Sequence, residues 1–138
     1  METGWPEVKE GGENMGKKIL IADDEQNIVI SLEFLMQREG FQVVVARDGQ
    51  EALDKARSEQ PDLILLDVMM PRKNGYEVCQ EIRADQTLSA TRILMLTAKG
   101  RETEVTKGLA VGADAYMTKP FSTRDLVARV RALLEVTA

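Results

Sequence analysis

The chain contains no histidine and only one cysteine, Cys79, in 138 residues. Without imidazole it has no Ser-His or Cys-His nucleophile pair, no His-ligated zinc and no phosphohistidine of its own. One cysteine excludes an intrachain disulfide and any multi-cysteine metal centre, and it fits a reducing compartment. Val78 and Ile82 flank Cys79 on a predicted helix, which marks it as a buried filler. Nowhere does an apolar run approach the ~18 residues needed to span a bilayer. Residues 1–16 also lack the apolar core of a secretory signal, so the expectation is a cytoplasmic protein without membrane contact. Basic excess is missing too: the net charge is −5 and the pI near 4.9, which argues against direct binding to DNA. A GxxxxGK[ST] phosphate loop is absent, since the run Gly108-Leu109-Ala110-Val111-Gly112 lacks the following Lys and hydroxyl.

Residues 1–16, with Gly4, Pro6, Gly11, Gly12, Gly16 and mixed charges, carry too little apolar material to fold and read as a flexible tail. From Lys17 to the end, short β-like runs alternate with helical patterns, the signature of βαβ units on a parallel sheet. The strands are predicted at 18–22, 41–46, 62–66, 92–96 and 114–118. The helices are predicted at 26–39, 49–58, 74–84, 101–110 and 122–136. The stretch 101–110 is the poorest of these, with Thr103, Thr106 and Gly108 and little to bury, and is expected to be the most mobile. Residues 17–138 are expected to form one domain, and no stretch resembles a second domain such as a helix-turn-helix or catalytic output module.

Four apolar runs stop abruptly at polar residues. Ile19-Leu20-Ile21-Ala22 meets Asp23-Asp24, and Leu63-Ile64-Leu65-Leu66 meets Asp67. Ile93-Leu94-Met95-Leu96 meets Thr97, and Ala115-Tyr116-Met117-Thr118 meets Lys119-Pro120. If the runs are neighbouring parallel strands, these polar residues gather at the carboxyl edge, where open α/β sheets bind ligands. Taken singly, each acid could equally be a helix cap or a turn former. Taken together, three carboxylates repel by about 4 kcal/mol per pair at 4 Å and an effective dielectric of 20, more than one Lys offsets. A hard divalent cation fits that need, and with no His or thiolate set available it is Mg²⁺, or Mn²⁺ in its place. Beside such an ion, Asp67 can act as a nucleophile toward a phosphoryl group, with Asp23 and Asp24 holding the metal. Lys119 would pair with phosphoryl oxygens and Thr97 would donate a hydrogen bond.

The stretches Ile21-Ala22-Asp23-Asp24-Glu25, Leu65-Leu66-Asp67 through Gly75-Tyr76-Glu77, Leu96-Thr97-Ala98 and Gly112-Ala113-Asp114 through Lys119-Pro120-Phe121 occur in that order. Over about 17–136 the chain resembles the receiver domains of two-component response regulators, of the stand-alone single-domain type. The resemblance implies a flavodoxin-like, doubly wound α/β fold, with a five-stranded parallel sheet in the order 2-1-3-4-5 and five helices. It implies that Asp67 accepts phosphate, that Asp23 and Asp24 bind Mg²⁺ and that the Met69 carbonyl completes the metal site. Thr97 and Tyr116 correspond to the switch pair, and Lys119 precedes a Pro120 whose peptide bond is typically cis. Ala98 keeps the phosphoryl path open, while Met69 and Lys99 border the site and bear on phosphate lifetime.

The implied partners are a sensor histidine kinase or phosphotransfer protein and a downstream protein target. Signalling would pass through the face formed by the 101–110 helix, the fifth strand and the last helix, and homodimerisation on phosphorylation stays open. The domain is expected to be a phospho-acceptor, not a turnover enzyme. Two rivals remain: a docking scaffold independent of phosphorylation, and an Asp-nucleophile phosphatase. The second wants another acid two residues after the nucleophile, where Met69 stands. A flavodoxin-like carrier would want a hydroxyl-rich first loop, which is lacking.

Overall fold

A computed structural model of the chain describes residues 16–98 and 111–135. Five strands form one parallel sheet: β1 (Lys18–Ala22), β2 (Gln42–Ala46), β3 (Leu63–Asp67), β4 (Arg92–Ala98) and β5 (Ala115–Lys119). Their order is β2-β1-β3-β4-β5, the order expected for a doubly wound sheet. Every residue of β3 is buried, as are Ile19 to Ala22 of β1. That is why these segments read as continuous apolar runs and not as alternating ones.

Four helices lie among the described residues: α1 (Gln26–Arg38), α2 (Gly49–Glu59), α3 (Gly75–Ala84) and α4 (Thr123–Leu134). The helix predicted over 101–110 falls outside the described residues, as does the tail over 1–15. The side chains of α1 and α4 pack with Ile19, Ile21, Leu63, Leu65, Leu94 and Leu96 on one face of the sheet. On the other face, α2 and α3 pack with Leu20, Ala22, Ile64, Leu66, Ile93 and Met95. Cys79 belongs to that second core, and burial pushes its thiol up to about 11, so it is an inert filler as expected.

Local chemistry sets the helix ends. Asn74 caps α3 by accepting from the Glu77 amide at 3.0 Å, while the Glu77 carboxylate accepts from the Asn74 amide at 2.9 Å. Asp48 caps α2 through the Glu51 amide at 2.8 Å, and Ser122 caps α4 through the Asp125 amide at 3.0 Å. Gly40, at φ 96°, ends α1 in the left-handed conformation that favours glycine. A 3₁₀ turn over Gln86–Leu88 follows α3 and was not expected. Three strands also run further than their apolar runs: β3 includes Asp67, β4 reaches Ala98 and β5 reaches Lys119. Asp67, Thr97 and Lys119 are therefore placed by strand pairing, whereas Asp23 and Asp24 lie just past the end of β1 and Met69 in the segment after β3.

Candidate functional site

Register and the two-residue period of a strand decide which polar residues meet. Ala22 pairs with Leu66, so Asp23 and Asp67 stand at the same level on neighbouring strands. Asp67 pairs with Leu96 and Leu96 with Met117, while Lys119 lies two residues beyond Met117, level with Ala98. By parity, Asp23, Asp67, Ala98 and Lys119 share the α1/α4 face of the sheet. Thr97 and Tyr116 share the opposite face with Ile93 and Met95.

The side chains follow that placement. Lys119 Nζ lies 3.1 Å from Asp23 Oδ2 and 3.3 Å from Asp67 Oδ1. Carboxylate oxygens of Asp23, Asp24 and Asp67 all come within 4.8 Å of one another. Asp23 is fully buried and Asp67 is 7% exposed, whereas Asp24 opens to solvent. Asp23 has a second duty, accepting from the Glu25 amide at 2.9 Å. The turn-forming role open to each acid and the clustered role thus coexist in one side chain. The Lys119–Pro120 peptide bond is cis.

Burial and the nearby Asp23 charge push the Asp67 carboxyl up from 3.8 to about 6, against the pull of Lys119. Burial opposes the Lys119 charge, but attraction to Asp67 and Asp23, with its hydrogen bonds to both, outweighs that and raises the ammonium. The cluster therefore carries more negative charge than its single cation neutralises, and an all-oxygen donor set of this kind suits a hard cation.

The remaining predicted residues divide. Met69 is 54% exposed and lines, with Asp67, Lys119 and Phe121, a groove of about 790 Å³ that runs along Ile28 and Ser31 of α1. Thr97 is 2% exposed, and its hydroxyl donates to the Ala98 carbonyl at 3.4 Å, not to Asp67. Tyr116, on β5, is 37% exposed. Arg72 and Lys73, in the segment after β3, pair with Asp48 at 3.4 Å and Glu81 at 2.7 Å. The groove wall on α1 was missed from sequence, although Ile28 and Ser31 follow Asp24 within two helical turns.

Residues 19–131 match the response regulator receiver domain family. The chain belongs to that family. This receiver domain is 52% identical, over 120 residues, to the alkaline phosphatase synthesis transcriptional regulatory protein PhoP of Bacillus subtilis (strain 168). The match covers 87% of the chain but 49% of PhoP, so the chain spans about half the length of that curated relative. Among solved structures, the chemotaxis response regulator CheY4 of Vibrio cholerae superposes with a TM-score of 0.80 at 34% identity. That match covers 85% of this chain and 98% of CheY4. The BeF3-activated DrrB receiver domain superposes with a TM-score of 0.78 at 35% identity, covering 86% of this chain and 97% of that one. No helix among the described residues is long and apolar enough to cross a membrane.

Proposed function

We propose that this receiver domain takes a phosphoryl group from a phosphohistidine of a partner protein onto Asp67. The carrying observation is the buried Asp67 carboxylate, held beside two further acids and bridged to Asp23 by Lys119. None of these 138 residues is a histidine, so the donor imidazole lies outside them.

Asp23, Asp24 and Asp67 supply converging carboxylate oxygens with one acid open to water, a donor set that fits Mg²⁺ and accepts Mn²⁺. The Met69 carbonyl is the further ligand proposed. When bound, the ion neutralises the acids and the charge of the incoming phosphoryl group. Asp67 directs a carboxylate oxygen at phosphorus; the new O–P bond forms as the P–N bond to imidazole breaks, and the imidazole keeps that electron pair and takes a proton from water. Lys119 turns its ammonium from the carboxylates to a phosphoryl oxygen without leaving the strand edge. Ala98, level with Lys119, leaves the approach open.

Thr97 closes on the phosphoryl group by exchanging its 3.4 Å bond to the Ala98 carbonyl, a weak bond to give up. Tyr116 lies on the same face of the sheet and takes the space that Thr97 vacates, which biases a two-state equilibrium toward the signalling arrangement. The domain gains and loses this group without turning over a separate substrate. The groove along α1 admits the kinase or phosphotransfer partner. The output is a protein contact made by β5, α4 and the segment between β4 and β5. The transcriptional role in PhoP's name suggests a link to gene control, while the net charge of −5 assigns DNA contact to something other than these residues.

Intact-mass analysis after incubation with a small acyl-phosphate donor and Mg²⁺ tests the proposal. One phosphoryl group is expected on the wild type and none on Asp67→Asn. Equal labelling of both would refute it.

A further inference from the structure

We propose that Gly49, on a helix no catalytic residue occupies, is a positioning residue for the loop over 68–74, which carries Met69 beside the acids. The inference rests on the proposed function, and it concerns how tightly that loop is held. Three backbone hydrogen bonds hold the loop at its two ends and its middle. The Val68 amide donates to the Leu96 carbonyl at 3.1 Å, and the Gly75 amide donates to the Val68 carbonyl at 2.8 Å. The third comes from the first turn of α2, where the Gly49 amide donates to the Pro71 carbonyl at 3.2 Å. That carbonyl also accepts from the Lys73 amide at 2.8 Å, so the turn over 71–73 closes on a single oxygen.

The approach is possible only without a side chain. A Cβ built on Gly49 would overlap the Lys73 carbonyl oxygen and come within 2.6 Å of both the Lys73 carbonyl carbon and its Cβ. Two of these are backbone atoms, which cannot turn aside as a flexible side chain does. Between Pro71 and Lys73, Arg72 sits at φ 71°, a left-handed conformation costing roughly 1 kcal/mol for such a residue. Conformations of that kind persist only where the surroundings hold them. Here α2 does so: Gly49 holds Pro71, and Asp48, while capping the helix with one oxygen, faces the Arg72 guanidinium at 3.4 Å with the other. Any larger residue at 49 pushes residues 71–73 outward and takes Met69, two residues before Pro71, with them. The acids stay in place at the ends of β1 and β3. Occupation of the site must in return be felt at Gly49, since such coupling is reciprocal.

The test is a Mg²⁺ titration of the ¹⁵N-labelled wild-type domain, with Gly49→Ala alongside. In the wild type, the Met69 and Gly49 amide resonances are expected to move with one midpoint. In Gly49→Ala, the Mg²⁺ affinity of the folded domain is expected to fall at least tenfold, whereas Gln50→Ala, which removes only a side-chain bond to Asp54 within α2 and keeps the cap and the glycine, stays within about threefold. A Met69 amide that responds while Gly49 is still overturns the inference and leaves the proposed function intact. So does unchanged affinity in a folded Gly49→Ala. If neither amide responds, the proposed function fails and this inference with it. Should Gly49→Ala not fold, the wild-type titration decides alone.

Discussion

Lys119 Nζ lies 3.3 Å from Asp67 Oδ1 across 52 residues of sequence, and the same ammonium reaches Asp23 at 3.1 Å. One cation thus serves two buried acids. The cluster keeps an unmet negative charge, which burial magnifies by lowering the local dielectric. Site chemistry, pH response and stability all depend on that imbalance.

Asp67 gives the metal-free domain a distinct pH dependence. Its carboxyl is raised to about 6 in the folded chain from an ordinary 3.8, so between these values the folded state binds more protons than the unfolded one. Stability from this group is therefore greatest at low pH and is lost as pH rises through about 6, by up to about 3 kcal/mol at 1.36 kcal/mol per pKa unit. Asp67→Asn removes this loss. Urea unfolding in chelator should show the variant gaining on the wild type between pH 4.5 and 7.5, and parallel curves would contradict it.

Lys119→Met leaves Asp23 and Asp67 unscreened. The Asp67 carboxyl should rise further, and the metal-free domain should lose roughly 3 kcal/mol at pH 7.5, part of it regained at pH 5. Labelling by an acyl phosphate should slow by about 10²-fold, the size expected for removing a donor to developing charge. Carboxyl titration by NMR and a labelling time course provide the measurements.

Added Mg²⁺ should stabilise the fold by about 2.7 kcal/mol at a hundredfold excess over its Kd. Because a proton on Asp67 competes with the ion, apparent affinity should weaken by up to tenfold per pH unit below about pH 6. Chelation should stop labelling while far-UV circular dichroism stays unchanged.

Arg83 offers a contrast away from the site. Its guanidinium donates to the Gly112 carbonyl at 2.8 Å, the Thr91 carbonyl at 2.8 Å and Asp114 Oδ2 at 2.7 Å, fastening the entry to β5 onto α3. Arg83→Ala should cost about 3 kcal/mol, with Mg²⁺ affinity unchanged in the folded protein. Thermal or urea unfolding read beside a Mg²⁺ titration separates the two effects.

Much of the sheet could be read from the chain because its central strands β1, β3 and β4 are buried on both faces, so each declares itself as an apolar run ending in a polar residue. The meeting of Asp23, Asp24, Asp67 and Lys119 follows from that pattern once the strand order is known. The strand ends were less legible: Thr97 and Lys119 remain in the ladder after hydrophobicity stops, because backbone pairing does not require an apolar side chain. The glycine of Asp48-Gly49 reads as turn punctuation, yet its reason is a carbonyl 24 positions away at Lys73, a contact no local pattern encodes. The outward Ile30 and Phe34 of α1, 55% and 65% exposed, are likewise invisible to a search for the buried stripe.

Borohydride trapping tests the central claim most directly. An acyl phosphate on an aspartyl side chain is reduced to homoserine, and peptide mass mapping then reports its position. After treatment with phosphodonor and Mg²⁺, the account predicts homoserine at position 67 alone, dependent on the ion. Reduction at Asp23 or Asp24, or a stable phosphoryl group on a hydroxyl residue with position 67 untouched, would contradict it.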